Sequence, residues 1–211
     1  ADIAMTLLLM SARRASEGER MLRAGGWTGW APTQMLGAHV TGKRLGVIGM
    51  GRIGQAVAKR AHFGFGMQVS YAARSPKALD FPASPLPLPD LLAQSDFVVL
   101  AVPATPETHH LIGAAELALM APHAHLINVA RGDVVDEAAL IAALQAGRIG
   151  GAGLDVYEHE PRVPAALTAL QNVTLLPHLG TATEEVRDAM GLMAVENLRA
   201  FRDGTPLPNP V

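Results

Sequence analysis

Three segments of the chain carry side chains that could take part in catalysis: a guanidinium, a carboxylate and an imidazole. They are NVARGDVVDE (128–137) with Arg131, GAGLDVYEHEP (151–161) with Glu160, and LLPHLGTAT (175–183) with His178. A guanidinium binds carboxylates, and a carboxylate beside an imidazole raises the imidazole pKa above its reference of about 6.5. Each residue alone is also explained as an ion-pair partner, a solvated loop acid or a strand cap. Because each segment lies at the end of a predicted strand, we expect the three side chains to converge at one crevice.

A glycine-rich motif, GMGRIG (49–54), has the spacing G-x-G-x-x-G. Gly49 permits a tight turn from strand to helix, Gly51 lets a pyrophosphate approach the backbone, and Gly54 lets helix and sheet pack closely. The amides of Arg52 and Ile53 then face the anion from a helix N-terminus. Alone the motif also fits a turn without a ligand. A strand before it, a helix after it and a second strand at the right distance favour a dinucleotide site.

The stretch that follows the second predicted strand, SYAARSPK (70–77), lacks the acid that usually contacts the adenosine ribose. Ala73 and Arg74 stand there instead, followed by Ser75. A 2′-phosphate is repelled by a carboxylate but pairs with a guanidinium and a hydroxyl. We therefore predict NADP(H) as the preferred cofactor, with NAD(H) also accepted. The alternative for Arg74 is a solvated surface arginine.

The composition is that of an ordinary globular protein, with 49% hydrophobic and 17% charged residues in 211. The formal net charge of −2 gives no reason to expect nucleic acid or an anionic membrane as a partner. The absence of cysteine excludes disulfides, thiolate catalysis and zinc–cysteine sites, and favours a cytoplasmic location. No apolar run is long enough to span a bilayer, and no signal segment begins the chain.

Alternating strand and helix patterns position these residues. Strands are predicted at 45–49, 67–72, 97–103, 125–130, 152–156 and 173–177, and helices at 1–24, 52–64, 136–147 and about 184–202. The stretch FPASPLPLP (81–89) contains too many prolines for a central strand and is predicted as loop. The pattern indicates an α/β fold, a doubly wound parallel sheet with helices on both faces.

The chain resembles the D-isomer-specific 2-hydroxyacid dehydrogenase family, which has the Rossmann fold. The matching segments are LGVIGMGRIGQAVAKRA, VVLAVPATPETHHLI, INVARGDVVDEAALIAAL, GAGLDVYEHEP and LPHLGTAT, in the family's order and along nearly the whole chain. The resemblance implies that Arg131 binds a 2-oxo acid and that Glu160 pairs with His178, the general acid and base. No metal is implied.

Further site residues follow from the resemblance only. Asp155 would contact the nicotinamide carboxamide, and the residues expected to line the cofactor are Val102, Pro103, Thr108, Val129 and Gly180. The loop GGWTGWAP and the arginine in place of the ribose acid resemble the glyoxylate/hydroxypyruvate reductase branch. There Trp30 would reach the substrate site of a partner subunit in a homodimer; packing at the interface alone is the alternative.

Family members carry an N-terminal segment that forms most of a second, substrate-covering domain, and this sequence begins at the linker helix. The resemblance thus implies a fragment: residues 1–183 form the dinucleotide-binding domain with the linker helix, and residues 184–211 form a helix and tail returning to a largely absent second domain. Alone it is expected to bind cofactor but turn over poorly, because the water-excluding cleft cannot close.

Two other functions remain open at this point. The family resemblance extends to dinucleotide-sensing transcriptional corepressors that retain a similar arginine, glutamate and histidine. A D-lactate or phosphoglycerate dehydrogenase would differ only in substrate. The expected substrate is a small 2-oxo acid, glyoxylate or hydroxypyruvate. His109, His110, His123, His125 and His159 match no family role and are interpreted as surface or structural residues.

Overall fold

Seven strands, all parallel to their neighbours, form a single sheet in the order β3-β2-β1-β4-β5-β6-β7. The computed structural model describes residues 1–210. The central strands are apolar on both faces; every residue of Phe97–Leu100, for example, is buried. Strands covered on both sides need helices on both sides, so the alternating pattern leads to a doubly wound α/β fold. The predicted fold class is confirmed.

Strands and helices alternate along most of the chain. The strands are β1 Arg44–Ile48, β2 Gln68–Ala72, β3 Ser84–Pro85, β4 Phe97–Leu100, β5 His125–Asn128, β6 Gly151–Leu154 and β7 Val173–Leu175. The α-helices are α1 Asp2–Ala12, α2 Ala15–Arg23, α3 Arg52–Phe65, α4 Leu88–Gln94, α5 Ala114–Leu119, α6 Glu137–Gln145, α7 Ala165–Thr168 and α8 Glu184–Arg202. Two 3₁₀ turns, Pro106–Thr108 and Gly132–Val134, follow β4 and β5.

The core consists of two clusters that use alternate residues of the same strands and so lie on opposite faces of the sheet. On one face Val98 and Leu126 pack with α4, α5 and α6. On the other, Val99 and Ile127 pack with α1 and α3. Helix α1 lies directly on β6: a Cβ added to Gly153 would come within 2.9 Å of the Leu7 Cβ.

The single helix predicted for residues 1–24 is wrong at its centre, because the chain breaks into α1 and α2 at Arg13 and Arg14. The Ala12 carbonyl accepts a hydrogen bond from the Ala38 amide (2.7 Å), a contact from outside the helix. Arg14 adopts a left-handed conformation with φ of +53° and pairs with Glu17. The sequence pattern could not show a break that a distant loop imposes.

The proline-rich stretch 81–89 is not entirely loop. Ser84 and Pro85 form a two-residue strand at the edge of the sheet, and α4 begins at Leu88. An edge strand tolerates proline because its outer amide needs no partner, so the argument against a central strand holds while the assignment to loop does not.

The chain divides into two compact units, Ala1–Pro177 and the segment from His178 onward. In the second unit the Thr183 hydroxyl caps α8 by accepting from the Val186 amide (3.3 Å). The tail folds back on α8 through two hydrogen bonds between Asn197 and Asn209 (2.9 and 3.0 Å). Within residues 1–210 no helix is both long and apolar enough to cross a bilayer.

Candidate functional site

The strand order reverses between β1 and β4, and a cleft of about 770 Å³ opens at the carboxyl ends of these strands. Strand β1 leads to β2 on one side, whereas the chain crosses to β4 on the other. Such a reversal leaves the connections diverging above the sheet, which is where α/β proteins bind ligands. The turn after β1, the loop after β2 and the loop after β4 all line the cleft.

The glycine motif lies at this edge; Gly49 and Gly54 each meet a steric demand, whereas Gly51 leaves open space. Gly49 has φ of +97°, a conformation that side chains disfavour, and a Cβ there would lie 2.6 Å from the Ala101 carbonyl oxygen. A Cβ on Gly54 would overlap the Gly49 carbonyl oxygen, so α3 can pack on β1 only with glycine here. Within the described chain nothing lies within 4 Å of a Cβ built on Gly51. The space above Gly51 can therefore admit a ligand.

Helix α3 begins at the edge of the cleft, and Gly51 lines the cleft there. Gly51 is the N-cap, and within residues 1–210 no side chain caps this helix end and no acid occupies its first turn. Arg52 and Ile53 are exposed, whereas Gly54 is buried. A 14-residue helix with an open N-terminus favours an anion there. The residues present thus fit a pyrophosphate.

The loop after β2 brings two cations and a hydroxyl to the cleft, from Arg74, Lys77 and Ser75. All three side chains are exposed. Among the described residues that line the cleft, Glu107 is the only acid. Its carboxyl pKa is lowered, chiefly by a hydrogen bond from the Thr105 hydroxyl and to a smaller extent by the positive charge of Arg74. The cleft has an excess of positive charge next to β2.

The loop after β4 is held by the Thr108 hydroxyl, which accepts from the Thr105 amide (2.8 Å) and donates to the Pro103 carbonyl (2.7 Å). Val102, Pro103 and Thr108 all line the cleft; that they contact a cofactor stays a prediction. Because the Thr108 hydroxyl is already engaged, its main effect is to shape the loop.

Arg131 follows β5 in a turn held by Asn128, a role that was not predicted from the sequence. Asn128, which is 1% exposed, donates from its side-chain amide to the Arg131 carbonyl (2.9 Å) and accepts from the Ala130 amide (3.0 Å). Arg131 itself is exposed, and its Nη1 donates to the Ala130 carbonyl (2.7 Å). Asn128 therefore fixes the backbone from which the guanidinium projects. An asparagine at a strand end was the available signal.

The turn that carries Arg131 packs against the loop that carries Glu160. A Cβ on Gly132 would overlap the peptide between Tyr157 and Glu158, so only glycine permits this approach. Glu160 accepts from the Tyr157 amide through Oε1 (3.0 Å). Burial, followed by the negative charges of Asp155 and Glu160, raises the pKa of Tyr157 to about 12. Two of the three predicted catalytic residues thus lie on loops in direct contact.

Three of the histidines without a family role, His110, His123 and His125, make structural contacts. His110 pairs with Glu158 (3.0 Å), and the other Glu158 oxygen accepts from the Glu137 amide (3.3 Å). His123 pairs with Asp96 (2.8 Å), while His125 contacts the Ser11 hydroxyl through Nδ1 (2.8 Å). No group of three or more metal-binding side chains occurs in residues 1–210.

A family model described as "D-isomer specific 2-hydroxyacid dehydrogenase, NAD binding domain" matches residues 5–180. The chain belongs to this family. A glyoxylate reductase of Thermococcus gammatolerans is 50% identical over 218 aligned residues, covering all of this chain and 65% of that protein. A glyoxylate/hydroxypyruvate reductase B of Klebsiella pneumoniae is 51% identical over 202 residues, covering 94% of this chain and 62% of that protein.

A solved structure agrees with these relatives. The NADPH-dependent glyoxylate/hydroxypyruvate reductase of Sinorhizobium meliloti, in complex with NADP and malonate, superposes with a TM-score of 0.93 at 39% identity. The match covers all of this chain and 66% of that one. This 2-hydroxyacid dehydrogenase domain thus spans less than two thirds of the length of these relatives.

Two further predicted residues of this family domain, Asp155 and Val129, are not among the residues that line the cleft. Asp155 follows β6 and is 2% exposed, with its amide donating to the Asn128 carbonyl (3.0 Å). Val129 packs against the cluster of α1 and α3. His178, whose φ is +55°, and Gly180 belong to the second unit, so the pairing of His178 with Glu160 stays a prediction.

Proposed function

We propose that this chain supplies the cofactor-binding part of an enzyme that reduces a small 2-oxo acid, glyoxylate or hydroxypyruvate, to the D-2-hydroxy acid with NADPH. The observation that carries the proposal is the cleft beside the glycine motif, whose β2 side presents Arg74, Ser75 and Lys77 and no acid. Relatives named as glyoxylate reductases, one of them NADPH-dependent, support the same substrate and cofactor.

The residues of the glycine motif would hold the pyrophosphate. Gly51 leaves room for it, and the open N-terminus of α3 favours a negative charge there. The guanidinium of Arg74 and the Ser75 hydroxyl would bind the 2′-phosphate, which NADH lacks. Charge-assisted hydrogen bonds contribute about 1.5–3 kcal/mol each, so Arg74 alone would favour NADPH about ten- to a hundredfold.

The catalytic step needs a hydride and a proton at the two ends of the substrate carbonyl. The bound dinucleotide would supply the hydride to the carbonyl carbon. Arg131, on the turn fixed by Asn128, would bind the substrate carboxylate and carbonyl oxygen. His178 would donate the proton to that oxygen, and the Glu160 carboxylate would favour the protonated imidazole. In the reverse direction neutral His178 would accept the hydroxyl proton.

The proposed assembly is a homodimer in which Trp30 reaches toward the partner's substrate site. Trp30 is 81% exposed, and Trp27 in the same loop is 53% exposed. Two tryptophans so little buried on one loop are more typical of a surface that another chain covers than of an isolated surface. A soluble cytoplasmic location belongs to the same proposal.

Titration of the 211-residue chain with NADPH and NADH tests the cofactor assignment. Arg74→Ala should weaken NADPH binding about ten- to a hundredfold and leave NADH binding within about twofold. Arg20→Ala is the matched control, because Arg20 is an exposed arginine on α2 that contacts Gln171 and lies outside the cleft lining. Equal weakening of both cofactors, or none, would refute the role of Arg74.

NADPH oxidation by the complete protein tests the reaction. The rate with glyoxylate or hydroxypyruvate should exceed the rate with pyruvate or phosphohydroxypyruvate. Tight NADPH binding without turnover of any 2-oxo acid would refute the reductase and favour a dinucleotide-sensing regulator on the same scaffold.

A further inference from the structure

The loop that would bind the 2′-phosphate is tied to the sheet by one buried hydroxyl. Tyr71, on β2, is 3% exposed, and its hydroxyl accepts a hydrogen bond from the Lys77 amide (3.1 Å). The Lys77 ammonium in turn donates to the Ser75 hydroxyl (3.1 Å). These contacts join the buried strand to the exposed residues of the cleft.

Tyr71 is fixed within the sheet, whereas the loop residues that it positions are exposed. Strand β2 pairs with β1 on one side and β3 on the other, with Tyr71 opposite Val47 and Pro85. The Tyr71 ring belongs to the core cluster of α1 and α3. Arg74, Ser75 and Lys77 are all exposed and have no burial of their own to fix them. The loop therefore keeps one conformation only through hydrogen bonds such as the one to Tyr71.

We propose that Tyr71 is a positioning residue for cofactor choice: its hydroxyl fixes the 74–77 loop so that Arg74, Ser75 and Lys77 face the 2′-phosphate together. The proposal rests on the proposed use of NADPH. Tyr71 does not line the cleft and touches no phosphate-facing side chain in the described structure; it acts through the Lys77 backbone.

The size of the effect follows from the hydrogen bond. A neutral hydrogen bond contributes about 0.5–1.5 kcal/mol, equivalent to roughly two- to tenfold in the ratio of ordered to disordered loop. Affinity for a ligand that needs the ordered loop scales with the ordered fraction, so it falls by up to that factor. NADH has no 2′-phosphate and makes no use of these three side chains, so its affinity should not fall when the loop is less ordered.

Tyr71→Phe tests the proposal because it removes only the hydroxyl oxygen. In fluorescence titrations of the full chain, NADPH affinity should fall by more than about twofold and by up to about tenfold, while NADH affinity stays within about twofold. Ser95→Ala is the matched control: the Ser95 hydroxyl is also buried and donates to a backbone carbonyl, that of Leu91 (2.7 Å), but lies outside the cleft lining. It should leave both affinities unchanged.

Amide hydrogen exchange gives a readout that does not depend on cofactor binding. The Lys77 amide should be protected relative to the neighbouring exposed amides, and Tyr71→Phe should abolish that protection. An unprotected Lys77 amide in the unaltered chain would overturn the proposal.

The outcomes separate this proposal from the one it rests on. If the unaltered chain prefers NADPH but Tyr71→Phe keeps the same NADPH-to-NADH ratio, only the role of Tyr71 is wrong. If the unaltered chain prefers NADH, or binds neither cofactor, the proposed function is wrong and the role of Tyr71 is overturned with it.

Discussion

Burial of His125 should make the stability of the chain fall as the pH drops from 7 to 5. The imidazole is 8% exposed at the start of β5, contacts Ser11 and stacks on Phe97 with ring centroids 5.4 Å apart. Burial, and then the neighbouring His123, lower the pKa of His125 to about 4. In the unfolded chain the ordinary value of about 6.5 applies.

The sign and the magnitude follow from linkage. Between these two pKa values the unfolded chain binds a proton that the folded chain does not, so the unfolding free energy rises with pH. The contribution of His125 is fully present above about pH 6.5 and is lost as the pH falls toward 4. Between pH 7 and pH 5 the loss is about 2 kcal/mol, a sizeable part of the ~5–15 kcal/mol typical of a folded protein.

Urea unfolding at both pH values measures this loss. His125→Gln keeps a polar side chain beside Ser11 but cannot titrate, so its stability should fall by about 2 kcal/mol less than that of the unaltered chain between pH 7 and pH 5. His159→Gln serves as the control, since His159 is exposed. The loss of stability between pH 7 and pH 5 should therefore differ between His125→Gln and the unaltered chain. If the two losses differ by less than about 0.5 kcal/mol, burial does not suppress protonation of His125.

Two further predictions concern the cleft and the exposed loop. Glu107→Gln removes the acid that faces Arg74 across the cleft, so NADPH affinity should rise about two- to fivefold and NADH affinity should not. An unchanged ratio of NADPH affinity to NADH affinity in the same titration would contradict this. Trp30→Ala should change the unfolding free energy by less than about 0.5 kcal/mol, because the side chain is 81% exposed, yet weaken self-association in sedimentation velocity. Identical sedimentation of variant and parent would show that Trp30 does not contribute to the interface.

Elements whose signals are local could be predicted from the sequence. Helix α8 begins and ends at the predicted Glu184 and Arg202. Helix α6, Glu137–Gln145, lies within the predicted 136–147, and Asp136 caps it by accepting from the Ala139 amide (2.9 Å). Each predicted strand is present, although 97–103 shortens to Phe97–Leu100. The residues after Leu100 are apolar enough for a strand, but the chain there leaves the sheet and lines the cleft.

Features set by distant contacts could not be predicted. The break after Ala12 depends on Ala38, and the role of Gly132 depends on which peptide faces it. The position of Arg74 and Ser75 at the cleft could be predicted, because residue type and distance from the glycine motif suffice. It does not show the anchoring hydroxyl of Tyr71, since a strand tyrosine normally indicates only core packing.

The position of α1 has a consequence for how the chain folds during synthesis. Leu7 and Leu8 are fully buried, yet part of their cover is β6, about 140 residues later in the sequence. At about 5–20 residues per second the ribosome needs roughly 7–30 seconds to deliver that strand. Throughout this interval the apolar face of α1 lacks its native partner, so the newly made chain should be a substrate for chaperones that bind exposed aliphatic segments.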